Sequence, residues 1–217
     1  RLTPATGAHE VRVAKLLRED YLSPMVGSML GPNLVNSLFT TNVRRWRQAD
    51  ILENSFRNAW LDQNPGTPDL WRTGVAAAWR PDGMVPAMMF NVTEVASGRR
   101  TIIAPFSSKS QDYGDWPALS RHLGDAIFIN MHDYKRGMTV GNAAIASARF
   151  PFVTPPADIP IGIPQPRHPE QSVAAQFVDG GYADNSGAET LQEIIPLLQS
   201  LKADISIHVI AFAGTDS

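Results

Sequence analysis

The sequence predicts an α/β protein, and three observations lead there. Apolar residues recur at three- and four-residue spacing through Trp60, the mark of helices with one buried face. After Pro86 the period shortens to that of strands. Near the end, an apolar run closes on Asp179-Gly180-Gly181, and a helical stretch and a second apolar run follow. The chain has 217 residues, which suits one domain with a sizeable core rather than a string of modules.

Each element has its own local reason. Val11, Ala14, Leu17 and Tyr21 form one apolar stripe. Leu22 to Phe39 is more apolar, and Gly31-Pro32 splits it into two short helices. A third helix begins near Asp50, with Glu53 at capping-box spacing and Ile51, Leu52, Phe56, Ala59 and Trp60 as its buried face. Ala87 to Val95 and Arg100 to Pro105 read as a hairpin around Ala96-Ser97-Gly98-Arg99, and Ser107 to Asp115 as a polar loop. Asp125 to Met131 fits either a strand or a short buried helix. Val140 to Ala148 reads as a helix that stops near Arg149, because Phe150 precedes Pro151.

The proline-studded stretch from Pro151 to Pro169 reads as a loop, and Ala174 to Val178 as a buried strand. Ser186 with Glu189 forms a capping-box pattern ahead of Leu191, Ile194, Ile195, Leu198 and Leu201, with Pro196 set to kink or shorten the helix. Ile205 to Phe212 reads as a strand covered on both faces, which would complete a right-handed βαβ unit.

Composition narrows the chemistry. Hydrophobic residues make up 43% and charged residues 18%, as in soluble globular domains. A formal net charge of −2 argues against a dedicated nucleic-acid binder. With no cysteine, disulfides, thiolate nucleophiles and Cys-type zinc sites are excluded. Five histidines without ligand spacing give no metal motif, so no metal or other cofactor is expected. No apolar run reaches the roughly 18 residues of a membrane span. The chain opens on Arg1 rather than methionine, and the protein is expected to begin upstream.

Asp179 is the first candidate for chemistry. Polar residues just past the carboxyl end of a strand face the ligand crevice of open α/β sheets, and a carboxylate there can act as a general base. Asp-Gly is also an ordinary turn dipeptide, which is the competing explanation. His132-Asp133 could belong to a Ser-His-Asp arrangement, although sequence neighbours rarely hold that geometry. His208 lies inside the last apolar run, where a hydrogen-bonded core histidine is the plainer reading than a ligand. Arg44-Arg45-Trp46-Arg47 could touch anionic lipid headgroups, or form a solvated turn between helices.

Three motifs occur in a fixed order. Pro86 to Glu94, with Ser97-Gly98-Arg99-Arg100, is similar to the P-x-L-x-x-N-x-T-(D/E) strand and turn of the patatin-like acyl hydrolases. Ala146-Ser147-Ala148-Arg149-Phe150-Pro151 resembles that family's A-S-A-A-F-P helix end. Val178-Asp179-Gly180-Gly181, with Asp184-Asn185, resembles its D-G-G/A box and downstream asparagine. One departure is Gly187, where many relatives have proline.

The resemblance implies a patatin-like three-layer α/β/α domain, incomplete at its N-terminal side. Residues 1–217 would then be a single fragment of a catalytic domain, with a helical region at 1–64 and an α/β core at 86–217. The family works through a Ser-Asp dyad, so Asp179 would be the catalytic base. No serine here stands in G-x-S-x-G; Gly27-Ser28-Met29-Leu30-Gly31 has the wrong spacing. The nucleophile and the glycine-rich oxyanion loop would therefore lie upstream of Arg1, and this fragment alone is expected to be inactive.

The implied substrate is a lipid ester. Contact with a membrane surface and self-association of the fragment are further expectations. Residues 22–39 are open between a buried helix pair and a lid over an acyl-chain pocket. The alternative function is a non-catalytic lipid- or protein-binding module on the same fold.

Overall fold

Short runs of apolar and β-branched residues fold back on each other as strands β1 (Phe90–Glu94) and β2 (Arg100–Ala104) in the computed structural model. The structure describes residues 7–28, 30, 48–80, 86–106, 126–131, 137–150, 154–165, 168–200 and 206–209. The hairpin turn is closed by the Glu94 N–H donating to Arg99 O at 3.0 Å and the Gly98 N–H to Glu94 O at 2.8 Å. β3 (Ile127–Asn130) joins β2 in parallel, which resolves the strand-or-helix alternative at 125–131. β5 (His168–Asp179) pairs antiparallel with the other edge of β1, and β4 (Ala157–Gln165) lies outermost. The order β3-β2-β1-β5-β4, with helices around it, makes the architecture mixed α/β.

Every residue of β2 is buried, as expected for a central strand covered on both sides. Neighbouring side chains of a strand point to opposite faces. Ile103 joins Val92, Phe177 and Ile159, which pack with Ala143 and Ala146 of α5 (Val140–Ser147). Ile102 packs instead with Met89, Phe106 and Ile194, the last from α7 (Ala188–Ser200). α5 therefore packs on one face of the sheet and Ile194 of α7 meets Ile102 of β2, and the chain between the two helices passes through Asp179.

The helical N-terminal region contains α1 (Ala8–Arg18), α2 (Ser23–Ser28) and α3 (Gln48–Gln63). Met25, Ala49 and Leu52 form a small core with Ile145 of α5, flanked by Tyr21 and Phe56. Tyr21 stacks on Phe56 with ring centroids 3.9 Å apart, and Phe56 on Trp71 at 5.6 Å. The apolar stripe expected on α1 is not a buried one: Val11 is 67% and Leu17 79% exposed. A short α4 (Val75–Ala78) leads toward the sheet.

Several expectations are corrected. Most of the stretch from Pro151 to Pro169 is not a loop, since Ala157–Gln165 is strand β4 and the strand expected at Ala174–Val178 begins already at His168. Proline lacks the donor a central strand needs, but β4 pairs only with β5, and the register slips between Pro160, Pro164 and Gln165. The described part of the run at 205–212, residues 206–209, carries no strand, and His208 is exposed rather than a core residue. An apolar run becomes a strand only where an edge accepts its hydrogen bonds, and 206–209 pair with no described strand. The βαβ unit is therefore not formed by these residues.

Of the two effects expected of Pro196, shortening does not occur, since α7 runs through it to Ser200. The proline is exposed, so the carbonyl one turn earlier, deprived of its partner, can turn to water. The later half of 22–39, Arg44 to Arg47, Ser107 to Asp115, and His132-Asp133 lie outside the described residues.

Candidate functional site

The construction of the site begins with a chain reversal. β5 ends at Asp179, opposite Val92 of β1, and the chain turns at Gly180 into the single helical turn α6 (Gly181–Asp184). A Cβ on Gly180 would stand 2.3 Å from the Asn91 carbonyl oxygen, so only glycine lets the two backbones approach this closely. Farther along, Gly187 has φ +70, a conformation closed to proline with its fixed negative φ. Its departure from the resembled pattern is thus built into the turn that starts α7.

Asp179 is anchored at three points, and its neighbour Gly180 at a fourth. The Asp179 N–H donates to Arg149 O at 3.0 Å, and its carbonyl accepts the Thr93 hydroxyl at 2.9 Å. The Gly180 N–H donates to Ser147 O at 3.2 Å. Asp179 Oδ1 accepts the Gly181 N–H at 2.7 Å, an Asx-type turn that fixes the carboxylate. Among the described residues, none donates to Oδ2.

The carboxylate opens on a cleft of about 220 Å³. Asn91, Ser147, the Asp179-Gly180-Gly181 turn, Asp184 and Asn185 line it, with Met89 and Gly187. The lining is almost wholly polar, suited to a reaction centre or a polar headgroup rather than to an acyl chain. Ser147 shares this cleft with Asp179, but its hydroxyl donates to Asn91 O at 2.6 Å. That bond ties the end of α5 to β1 and leaves the serine in a structural role.

The second carboxylate, Asp184, has the opposite environment. Its side chain is 3% exposed. Oδ2 accepts the Thr190 N–H at 3.0 Å, lies 3.1 Å from the Thr190 hydroxyl and 3.4 Å from Asn91 Nδ2, and pairs with Arg100 Nη1 at 3.7 Å. Burial alone would raise its pKa, yet the hydrogen bonds from Thr190 and the Glu189 backbone, with the Arg100 guanidinium, hold it below the ordinary 3.8. Arg100, 4% exposed, also pairs with Glu193. Ser186, the expected cap of α7, accepts only from Ala188 N–H at 3.2 Å, while Asp184 takes the Thr190 N–H. The cap is therefore Asp184, quoted above only as part of a motif: a carboxylate four residues before the first residue of the helix reaches back to it.

Of the residues singled out from sequence, Asp179 lies in the cleft with Asn91, Ser147, Asp184 and Asn185 from the three quoted motifs. His208 is not among the cleft residues. Thr190, Arg100 and Glu193 were given no role, and the only signal for them was a polar group set at the edge of an apolar stretch. Among the described residues there is no group of three or more His, Asp or Glu side chains placed to share a metal ion, and no helix long and apolar enough to cross a membrane. Comparison with protein-family models, curated proteins and solved structures finds no match to this chain.

Proposed function

We propose that this chain carries the base of a Ser-Asp acyl hydrolase of patatin-like type, with Asp179 taking the proton of a serine supplied from upstream of it. One observation carries the reading. Asp179 stands at the carboxyl end of a strand, held at its backbone and at Oδ1, with Oδ2 unengaged by any described residue in a polar cleft. A general base needs a fixed direction and a free lone pair, and this carboxylate has both. α5 on one face of the sheet and α7 against Ile102 of β2 fit a three-layer α/β/α domain of which this would be the C-terminal part.

The reaction follows from those parts. The serine Oγ attacks the ester carbonyl carbon while its proton passes to Asp179 Oδ2. The tetrahedral adduct collapses, and the alcohol leaves with that proton. Water, deprotonated by the same carboxylate, then releases the acyl group as the acid and restores the serine. The substrate is a lipid ester, and the enzyme works at a membrane surface.

A second reading, a non-catalytic binding module, is favoured by Leu22, Val26 and Leu30. They stand four residues apart, are 60%, 43% and 71% exposed, and offer an apolar line away from the cleft. Hydrolysis of a p-nitrophenyl ester by the full-length protein, lost in Asp179→Asn, decides for the enzyme. An inactive full-length protein with an intact fold decides for the module.

A further inference from the structure

Thr190 lies outside the cleft, yet its hydroxyl meets three side chains from three different elements. Oγ1 accepts Arg100 Nη1 from β2 at 2.7 Å. It stands 3.1 Å from Asp184 Oδ2 at the end of α6 and 3.2 Å from Asn91 Oδ1 on β1, and donates its one proton between them. Thr190 is 6% exposed, so water cannot replace these bonds freely.

The residues of its two acceptors both meet Gly180. The Asn91 carbonyl is the surface against which Gly180 rests, at a spacing with no room for a Cβ. The Asp184 N–H donates to Gly180 O at 2.8 Å. The turn that aims the Asp179 carboxylate is thus clamped by two residues, and both are referenced to one hydroxyl. The guanidinium of Arg100 polarises that hydroxyl and strengthens what it donates.

We propose that Thr190 is a positioning residue for Asp179, acting through Asn91 and Asp184 to fix the Gly180-Gly181 turn. Its catalytic consequence rests on the acyl hydrolase reading, but its structural consequence does not. Valine at 190 keeps the shape and removes the hydroxyl that accepts from Arg100 Nη1 and is shared between Asp184 Oδ2 and Asn91 Oδ1. Serine restores the hydroxyl.

The test compares the full-length wild type, Thr190→Val and Thr190→Ser by amide hydrogen exchange and by the carbon-13 signal of the Asp179 carboxyl. In Thr190→Val, exchange at Gly180 and Gly181 should accelerate about tenfold, the size expected for one lost buried hydrogen bond. The Ile102 and Ile103 amides of β2 should keep their rates. The Asp179 signal should move in Val and return in Ser. Where Val does not fold, Thr190→Cys, whose thiol is a weak donor, should show the same changes in smaller measure. In an active protein, kcat should fall about tenfold with KM unchanged, as when a base is misaimed without loss of binding.

Unchanged exchange at Gly180 and Gly181, equal acceleration in β2, or failure of Ser to restore the turn would overturn the proposal. A wild type that hydrolyses no ester removes the functional reading and leaves the exchange result to decide the role of Thr190.

Discussion

The cleft and the helical N-terminal region are ordered by different forces. Around Asp179, order comes from hydrogen bonds and paired charges: Arg100, Asp184 and Thr190 are all buried and all partnered. In the helical region it comes from a small apolar core of Met25, Ala49, Leu52 and Ile145, with aromatic stacking beside it. Among the described residues, the first arrangement pairs the side chains of Arg100, Asp184 and Thr190 and leaves Asp179 Oδ2 without a donor. The second leaves an apolar surplus, with Leu22, Val26 and Leu30 facing outward. The difference shows where each kind of function can sit. Chemistry needs the satisfied network with a single open acceptor, whereas association needs the uncovered apolar line.

The largest expected effect lies within the cleft and separates its two carboxylates. Asp179→Asn in the full-length protein should lower kcat/KM on the order of 10²–10⁴, with the melting temperature nearly unchanged. Asp184→Asn should do the reverse to stability: it weakens a buried, paired carboxylate and costs about 3 kcal/mol, read from urea unfolding. If Asp179→Asn unfolds the protein while Asp184→Asn is tolerated, the roles given to the two residues are exchanged.

One substitution made in both regions sharpens the contrast. Gly180→Ala drives a Cβ to 2.3 Å from a backbone oxygen that cannot move without disturbing β1, and should cost about 3 kcal/mol or more. Gly27→Ala, inside α2, meets nothing within 4 Å and should stabilise by about 0.5–1 kcal/mol through helix propensity. Chemical denaturation of both variants reads the two signs, and equal signs would contradict the packing described around Gly180.

The helical region also divides within itself. Met25 is 2% exposed and Leu30 71%, so the lid-or-core alternative splits by residue among those described. Met25→Glu buries a charge in the small core and should unfold that region, at a cost of about 3 kcal/mol or more. Leu30→Glu should leave stability within about 0.5 kcal/mol and reduce self-association measured by sedimentation. Unfolding by Leu30→Glu would show that this leucine is covered.

Local signals were readable in the sequence, and partners were not. The β1–β2 hairpin was legible because both runs are short and apolar and a glycine-containing turn lies between them. The Asp179 turn was legible because two glycines follow a buried run. β4 was illegible, since Pro160 and Pro164 read as loop unless the strand is known to be an edge. Residues 206–209 carry no strand for the converse reason, as apolar residues alone do not provide a neighbouring strand. The Thr190 network was out of reach because Arg100 lies 90 residues from Thr190 and Asn91 lies 99. No period or motif links residues that far apart.

The smallest expected effect is a pH dependence with opposite signs in the two regions. Glu53 of α3 is half-buried against the start of α5, where Oε2 accepts Asn142 Nδ2 at 2.6 Å. Burial raises its pKa above the ordinary 4.5, with Asp50 adding to the rise and the Asn142 hydrogen bond, Arg72 and Arg149 opposing it. Below 4.5 the group is protonated folded or unfolded and contributes nothing. As pH rises, the unfolded chain releases its proton first, so stability falls until the folded pKa is passed and the cost is complete. Asp184 runs the other way: its folded pKa lies below 3.8, so its stabilisation is present above that value and is lost as pH falls through the folded one. Glu53→Gln keeps an acceptor for Asn142 and removes the charge. It should stabilise the fold at neutral pH by less than about 1 kcal/mol, because solvent screens a half-buried charge, with a slightly higher melting temperature there and no effect in acid. Asp184→Asn should lower the melting temperature at neutral pH, with the deficit shrinking in acid. Melting temperatures from pH 3 to 8 for the wild type and both variants would show the two curves departing from wild type in opposite directions. A Glu53→Gln protein that melts lower than wild type at pH 7 would mean that the carboxylate there binds its neighbours more strongly than burial opposes it.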